Sequence, residues 1–543
     1  MTKFNSHNAK IGQLLVKSGV ITSEQLEQGL QEQKAHPGEP LCATLGRLGI
    51  ASEEKLLPVL AQQLGISYLA LKHCKVDPEL IRKIPARLAN RYRVLPVSRE
   101  GEALVVAMVD PLDTKALDEL RMLTHLPVRA AIVNAQELSE AIRQFYGVGA
   151  EMVEAMAATN ALPETAELNE AVDDLDKIGG EASTIKFVNQ LLLEAVRDRS
   201  TDIHLEPYER QLMIRYRIDG ILYDIPVPPE MKRFQQGIVS RIKVMANLNV
   251  AEHRLPQDGR AKVRVGGQDL DLRVSVLPSA YGETVMIRLL STNIFLGLEQ
   301  LGLLPDHQQV LEKMLNKPHG ILFVSGPTGA GKTTTLYACL SRINDRKRKI
   351  ITIEDPVEYL LPGITQMQVH SKISFTFAAA LRSLLRHDPD VIMVGEVRDF
   401  ETAETAIRTA LTGHLVFSTL HTNNAAGCVT RLLDMGVEPY LAASSLECAV
   451  AMRLVRLLCQ ECRGSGCQVC RGTGYKGRTG IFEFLILDDD IRALILRRAP
   501  AGEIMKLARS KGMRTLREDG LEKIKMGWTN QEEVMRVTEM ESG

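Results

Sequence analysis

The sequence predicts a multidomain α/β protein in which a mainly parallel sheet follows smaller helical and α+β units. The length of 543 residues corresponds to roughly three or four domains. From residue 321 onward, short apolar runs alternate with helical stretches, as in a parallel sheet covered on both faces. The preceding residues contain instead a helical repeat, a mixed segment and an acidic stretch.

Composition excludes several functional classes. The 66 Lys and Arg nearly cancel the 67 Asp and Glu, so a nucleic-acid partner held by bulk positive charge is not expected. The basic run 346–349 lies between a predicted helix and a strand, and we expect it to be a solvated element end. No apolar run approaches the ~18 residues of a spanning helix, and the first ten residues lack an apolar signal core. We therefore expect a cytoplasmic protein that reaches a membrane only through partners.

The N-terminal region contains an internal repeat with a period of 30 residues, in which residues 11–33 align with 41–63. Each copy has a short apolar segment, a glycine turn and a predicted helix with acids in its first turn. The helix begins after a capping hydroxyl, which is Thr22 or Ser23 in the first copy and Ser52 in the second. The repeat predicts two similar helical units that pack together.

The next segments differ in character. Residues 71–147 alternate predicted helices and strands, which indicates a compact α/β unit. Residues 148–177 contain eight acids before a single lysine, which predicts a mobile acidic linker. A helix ending at Arg197 and alternating strands, such as 212–217, then predict an α+β domain.

A phosphate-binding motif follows the apolar strand 321–324. Its glycines allow backbone N–H groups to point at phosphate oxygens, and the helix N-terminus adds partial positive charge. Lys332 is expected to reach the β- and γ-phosphates, while Thr333 is expected to ligate Mg²⁺ with bound ATP. The predicted binding residues are Gly326, Pro327, Thr328, Gly329, Ala330, Gly331, Lys332, Thr333 and Thr334.

Two further strands end in carboxylates, which hydrolysis needs for metal organisation and water orientation. Strand 349–353 precedes Glu354, Asp355 and Glu358. Strand 391–394 precedes Gly395 and Glu396, with glycine where a Walker B strand normally carries aspartate. We therefore expect Glu396 to orient water and one of the three earlier acids to help hold the metal through water.

Four of the nine cysteines lie within twelve residues. The two C-x-x-C pairs suit tetrahedral Zn²⁺, and the glycines around them permit tight turns. The predicted zinc ligands are Cys459, Cys462, Cys467 and Cys470. The other five cysteines are expected to be mostly buried and without ligands.

Residues 178–480 resemble the secretion ATPases of the type II secretion and type IV pilus assembly family. The resemblance implies a RecA-like P-loop ATPase core preceded by a PAS-like α+β domain and N-terminal docking domains. The matching motifs are Asp202-Ile-His-Leu-Glu-Pro, Arg215-Tyr-Arg-Ile-Asp-Gly, Pro256-Gln-Asp-Gly-Arg, the phosphate loop, an aspartate box at 352–358, a Walker B motif at 394–399 and a histidine box at 412–421.

The resemblance also implies roles for individual residues. Glu396 and Glu358 match the catalytic carboxylates, and His421 matches the histidine on the γ-phosphate side. Arg273 and Arg288 match arginines that the preceding domain brings onto the phosphates. Arg382, Arg386, Arg398 and Arg478 match arginines near the nucleotide or the subunit boundary.

The resemblance further implies a homo-hexameric motor that binds inner-membrane platform proteins and drives pseudopilus or pilus assembly. Residues 297–302 and the overall spacing favour the type II branch; a pilus extension motor and a nucleotide-gated regulatory subunit are the alternatives. The repeat resembles a module that binds cyclic di-guanylate through Arg-Leu-Gly. Here Lys10-Ile11-Gly12 and Pro40-Leu41-Cys42 stand in its place, so we expect a docking module rather than a ligand site.

These inferences divide the chain into seven segments. They are the repeat module (1–70), the α/β unit (71–147), the acidic linker (148–177), the arginine-bearing α+β domain (178–298), the ATPase core (299–455), the zinc subdomain (456–480) and a C-terminal helical region (481–543).

Overall fold

The computed structural model describes residues 11–35, 40–71, 74, 76–147, 150, 173–174, 183–291 and 297–538. The chain forms two compact units, Met1–Leu290 and Ser291–Gly543, and each is described by itself. Nearly all of the predicted acidic linker lies outside the described residues. Among the residues that are described, no helix is long and apolar enough to cross a membrane.

The strands form three sheets. In chain order they are β1 (Ser67–Tyr68), β2 (Val94–Glu100), β3 (Ala103–Met108), β4 (Val128–Ile132), β5 (Asp173–Asp174), β6 (Ser200–Pro207), β7 (Leu212–Ile218), β8 (Ile221–Ile225), β9 (Gln257–Val265), β10 (Gln268–Ser279), β11 (Gly282–Ser291), β12 (Gly320–Ser325), β13 (Ile350–Glu354), β14 (Thr365–Gln368), β15 (Val391–Val394), β16 (Leu415–Leu420), β17 (Leu446–Leu458) and β18 (Tyr475–Ile486).

Within the described residues, four helices precede β1, and the others lie between and after the strands. Those of the first unit are residues 11–17, Ser23–Ala35, Leu41–Arg47, Glu53–Leu64, Pro78–Ile81, Ala86–Tyr92, Thr114–Thr124, Ala135–Tyr146, Ser183–Arg197 and Gln235–Met245. Those of the second unit are Pro305–Leu315, Lys332–Ile343, Phe377–Leu384, Phe400–Leu411, Ala426–Asp434, Pro439–Ser445, Asp489–Leu496, Ala501–Ser510, Leu516–Lys525 and Gln531–Thr538.

The repeat in the first unit consists of two helix pairs with a shared core. Leu15, Leu45 and Leu56 are fully buried in it. The capping hydroxyl predicted for the first copy is confirmed at Thr22, whose Oγ1 accepts from the Gln25 N–H at 3.2 Å. Ser52 is the N-cap residue of the second helix, as predicted, but the expected hydrogen bond of its hydroxyl is wrong, because the side chain makes no capping hydrogen bond. The backbone of Ser52 still accepts from the first helical turn, so this helix begins without the side-chain contribution.

Two sheets follow the repeat within the first unit. A four-stranded sheet has the order β1-β4-β3-β2, and a seven-stranded sheet has the order β5-β9-β10-β11-β6-β7-β8. The second sheet alternates buried and outward residues along β10, as expected for a strand that covers a core with one face. Helices Ser183–Arg197 and Gln235–Met245 supply core residues such as Phe187 and Ile238 on that face.

The second unit is built on a seven-stranded sheet of order β14-β13-β15-β16-β12-β17-β18. β12 lies parallel to both β16 and β17, and only β18 runs antiparallel to its neighbour. β12, β13, β15 and β16 are completely buried, which explains their continuous apolar sequences. The loops that follow these four strands therefore meet at one edge of the sheet, where open α/β sheets bind ligands.

Candidate functional site

The phosphate loop begins where β12 ends and the helix Lys332–Ile343 starts. Gly326 has φ 149°, and a Cβ atom there would come within 2.7 Å of the Met452 carbonyl oxygen. Gly331, the last loop residue, has φ 95°. Only glycine suits both positions, because a side chain would clash at the first and strain the backbone at the second.

Lys332 lies on the inner side of this loop. Its Nζ donates to the carbonyl oxygens of Gly326 at 2.7 Å and Pro327 at 3.1 Å. Burial lowers the pKa of Lys332 to about 8, against the effect of Glu396 and with that of Arg453. A bound anionic phosphate would offset the cost of burying the Lys332 ammonium. The loop and its lysine therefore fit a nucleoside triphosphate.

Glu396 and His421 follow neighbouring strands and meet beside Lys332. The His421 Nε2 lies 3.6 Å from Glu396 Oε2, and Arg398 Nη2 lies 2.5 Å from Glu396 Oε1. Partial burial and the nearby Lys332 ammonium lower the pKa of His421, although Glu396 opposes the shift. The structure therefore brings three predicted residues together and adds Arg398 as a direct partner of Glu396.

Gly395 has a packing reason to replace aspartate. A Cβ atom at this position would lie 3.2 Å from the Ile353 carbonyl oxygen and 3.4 Å from the Glu354 Cα. The Gly395 N–H donates to that same carbonyl at 2.7 Å, which fixes the close approach of β13 and β15. A side chain here would require these neighbours to shift by a few tenths of an ångström.

Glu354 is not positioned as an exposed metal-holding acid. It is 3% exposed, and its carboxylate accepts from the Tyr337 hydroxyl, from Thr352 Oγ1 at 2.5 Å and from Gln366 Nε2 at 3.1 Å. Burial raises its pKa against these donors. Of the three acids after β13, Asp355 and Glu358 are the more accessible candidates. Tyr337 lies on the phosphate-loop helix, a connection that the sequence analysis missed.

Arg273 and Arg288 lie in the first unit, on the neighbouring strands β10 and β11. Both side chains are on the face away from the buried residues of their strands. Arg288 Nε donates to the buried Asp202 at 2.8 Å, which belongs to the first matching motif of that unit. Arg260, which the sequence analysis did not select, pairs with Arg273 across β9 and β10. The sheet thus presents these three arginines together.

The four predicted zinc ligands lie between β17 and β18, and their sulfur atoms are all within 4.8 Å of one another. Cys459 and Cys467 Sγ are 3.7 Å apart, as are Cys467 and Cys470. Four thiolates at Zn–S bonds of about 2.3 Å around one tetrahedral ion would be about 3.8 Å apart. The described cluster therefore fits zinc. The tight turns require a positive φ, which is found at Gly464, Gly466, Gly472 and Gly474.

A cavity of about 690 Å³ adjoins the N-terminal repeat. Leu41 and Cys42 line one side, and Arg91 and Arg93 line another. Burial raises the pKa of Cys42 to about 12, so its thiol contributes an apolar surface. Lys10, the base predicted at the start of the first copy, lies outside the described residues.

The comparisons with known proteins agree with this architecture. The family model described as type II/IV secretion system protein matches residues 177–536, and the MshEN domain model matches residues 64–152. The X-ray structure of the Legionella pneumophila ATPase DotB covers 70% of this chain and 100% of its own, with a TM-score of 0.52 and 21% identity. This likeness and the sheet topology confirm the predicted fold class, an α/β core with a mainly parallel sheet that follows α+β domains.

Two curated relatives align along nearly the whole chain. The type IV pilus assembly ATPase PilB of Myxococcus xanthus is 39% identical over 98% of this chain and 99% of its own length. The type II secretion system protein E of Xanthomonas campestris is 42% identical over 94% and 95%. The chain therefore belongs to the type II/IV secretion system protein family and is an ATPase of that family.

Proposed function

We propose that the chain hydrolyses ATP at the strand-end site of Ser291–Gly543 and thereby powers pseudopilus assembly in type II secretion. The observation that carries this proposal is the meeting of Lys332, Glu396 and His421 after three neighbouring strands. The relative from Xanthomonas supports the type II branch.

The residues of the site divide the chemistry among them. Backbone N–H groups of residues 328–334 and the Lys332 ammonium bind the β- and γ-phosphates, and Thr333 would hold Mg²⁺, which would neutralise phosphate charge. Glu396 orients the attacking water, and the ion pair with Arg398 holds this carboxylate in place. His421 contacts the γ-phosphate side of the nucleotide, and Glu358 is the second catalytic carboxylate.

Arg273 and Arg288 supply the remaining positive charge in this proposal. A planar guanidinium stabilises the charge that spreads over the transferring phosphoryl group. Arg288 Nε bonds to Asp202 in this structure, and a guanidinium has four further N–H donors that could contact phosphate while this bond is kept. The arrival of these donors would couple a movement of the first unit to hydrolysis.

Phosphate release by the full chain tests the proposal. Lys332→Ala should abolish nucleotide binding or turnover, and Glu396→Gln should retain ATP while slowing hydrolysis by ~100-fold or more. Glu404→Gln is a matched control, because Glu404 pairs with Arg408 on a helix surface. Wild-type turnover of the Glu396→Gln variant would assign water activation to another residue. No phosphate release by the wild type would favour a nucleotide-gated regulatory subunit.

A type IV pilus extension motor is the second candidate function. The relative from Myxococcus, a pilus assembly ATPase, favours it by aligning over 98% of this chain. The two candidates differ in the platform that they bind. Stimulation of ATP hydrolysis by the purified cytoplasmic domains of a pilus platform, and not by those of a type II platform, would establish the pilus function.

The assembly and location follow from the same proposal. We propose a homo-hexamer in the cytoplasm, held peripherally at the inner membrane through its platform partners. Mass measurement of the ATP-bound protein checks the hexamer, and a monomer at micromolar concentration with nucleotide would contradict it. The segments drawn from the sequence remain the proposed domains, but the boundaries at 455/456 and 480/481 need correction, because β17 and β18 cross them and belong to the core sheet.

Two further ligands are part of the proposal. Zn²⁺ held by Cys459, Cys462, Cys467 and Cys470 would stabilise the connection between β17 and β18, since four thiolates leave no position open for catalysis. The cavity beside the repeat is the candidate site for cyclic di-guanylate, although docking remains the favoured role of the module. Titration with cyclic di-guanylate decides between them, because saturable micromolar binding would overturn the docking preference.

A further inference from the structure

Two buried charged residues of β17 and β18 contact the loop that carries His421. This loop comprises residues 421–425 and connects β16 to the helix Ala426–Asp434. Arg453 Nη2 donates to the Asn423 carbonyl oxygen at 2.8 Å. Glu483 Oε1 accepts from the Ala425 N–H at 2.8 Å. Arg453 is 7% exposed and Glu483 is 1% exposed, so both bonds are formed largely out of water.

The same stretch of β17 also contacts the phosphate loop. Arg453 Nη1 donates to the Met452 carbonyl oxygen at 3.0 Å and lies 3.4 Å from the position of a Cβ atom on Gly326. The Thr335 hydroxyl, on the phosphate-loop helix, bonds to Met452 Sδ at 3.3 Å. Arg453 therefore lies where the phosphate loop and the 421–425 loop come together.

The two charged residues lie on one face of the β17–β18 pair. Glu483 pairs directly with Ala451, and Arg453 follows two residues later on the same strand, so they are diagonal neighbours. Ala451 in turn pairs with Ser325, the last residue before the phosphate loop. This register sets the distance between the phosphate loop and the backbone that follows His421.

We propose that Arg453 and Glu483 are positioning residues that fix the 421–425 loop, and thereby place the His421 side chain at the γ-phosphate side of the site. Neither residue needs to touch the reacting atoms for this effect. A hydrogen bond between a largely buried charged group and the loop backbone resists displacement of the loop, because breaking it out of water costs more than breaking it at the surface. The inference rests on the proposed role of His421, and its test separates the two.

The test is a double-mutant cycle on the full chain with ATP. Arg453→Met should lower kcat by about 10-fold to 100-fold, the effect of a misplaced reacting geometry, while the Kd for ATP changes by less than about 3-fold. If Arg453 acts through His421, Arg453→Met should slow the His421→Ala variant by less than about 2-fold. Full additivity of the two substitutions would overturn the proposal.

Arg456→Met is the matched control for a merely structural effect. Arg456 is also on β17, where it bonds to the buried Glu533 and lies over the Tyr475 ring at 3.9 Å. Arg456→Met should lower Tm but leave kcat within about 2-fold of wild type, because the 421–425 loop keeps its contacts with Arg453 and Glu483. Equal losses of kcat in Arg453→Met and Arg456→Met would refute a positioning role.

Glu483 provides a second and milder variant. Glu483→Gln keeps an oxygen that can accept from the Ala425 N–H, whereas Glu483→Leu removes it. Glu483→Gln should therefore retain most of kcat and Glu483→Leu should not, with similar ATP affinity in both. Equal kcat in these two variants would contradict the proposal. If His421→Ala itself has wild-type turnover, the proposed function of His421 fails instead.

Discussion

Tyr337→Phe tests the connection between the phosphate-loop helix and the acidic loop after β13. The Tyr337 hydroxyl donates to Glu354 and accepts from the Glu358 N–H at 3.4 Å and from Gln366 Nε2 at 3.3 Å. Its ring packs edge-on against Tyr359 with centroids 4.6 Å apart. Phenylalanine keeps this packing, so the substitution removes only the shared hydroxyl.

The expected magnitude follows from the group that loses its donor. Leaving a buried carboxylate with one hydrogen bond fewer costs about 1–3 kcal/mol. For a unit of the size of Ser291–Gly543, this corresponds to a Tm lower by roughly 2–12 °C. Burial already raises the pKa of Glu354, and the Tyr337 hydroxyl counteracts that shift. Its removal should raise the pKa further and leave Glu354 protonated over a wider pH range.

The functional consequence should appear in kcat. Because the Glu358 backbone is bonded to the same hydroxyl, we expect turnover to fall by about 10-fold while ATP affinity is nearly kept. Thermal melting and steady-state phosphate release measure both effects. Tyr475→Phe is the control, since it removes a hydrogen bond from Asn530 at 2.7 Å elsewhere in the unit. A Tyr337→Phe protein with wild-type kcat, or with losses equal to those of Tyr475→Phe, would refute the reasoning.

Three other outcomes are expected. Metal analysis should find one zinc per chain in natively purified protein, and Cys467→Ser should lose it with a lower Tm; zinc-free wild type would contradict the site. Lys523→Met should destabilise the fold by about 3–5 kcal/mol in denaturant unfolding, because Asp519 is fully buried with it; a change below about 1 kcal/mol would count against this. Burial opposes ionisation of Glu533, but hydrogen bonds from its two arginine partners lower its pKa to about 2. The Glu533 carboxylate therefore stabilises the fold above about pH 4.3, and this stabilisation is lost as the pH falls toward about 2. In Glu533→Gln, Tm should depend less on pH between about 4.3 and about 2.

The parallel part of the core sheet was predictable because its strands are buried on both faces. The expected strands 321–324, 349–353 and 391–394 agree with β12, β13 and β15 to within one residue. Continuous apolar runs between helices have few other interpretations. Lys332, Glu396 and His421 meet because residues after neighbouring parallel strands share one edge, but the choice of His421 came from the family resemblance and not from this rule.

The β17–β18 hairpin was not predicted. β17 contains Arg453 within a long apolar run, so polar and apolar residues do not alternate along it in the way that identifies a strand. The role of Glu354 was also missed, because an acid at a strand end gives no sequence signal of whether it points to solvent or to Tyr337. Both features depend on contacts between residues distant in the chain.

These distant contacts give the hairpin a role that links the zinc cluster to the site. The hairpin contacts the 421–425 loop through Arg453 and Glu483. Its outer end carries the cysteines, where the Cys459 N–H donates to the Gly474 carbonyl at 2.9 Å. Lys523 and Asp519 bond to its backbone at Gly480 and Phe482. Because one pair of strands makes all these contacts, we expect the cysteine cluster and the C-terminal helices to stabilise the same register that holds the 421–425 loop.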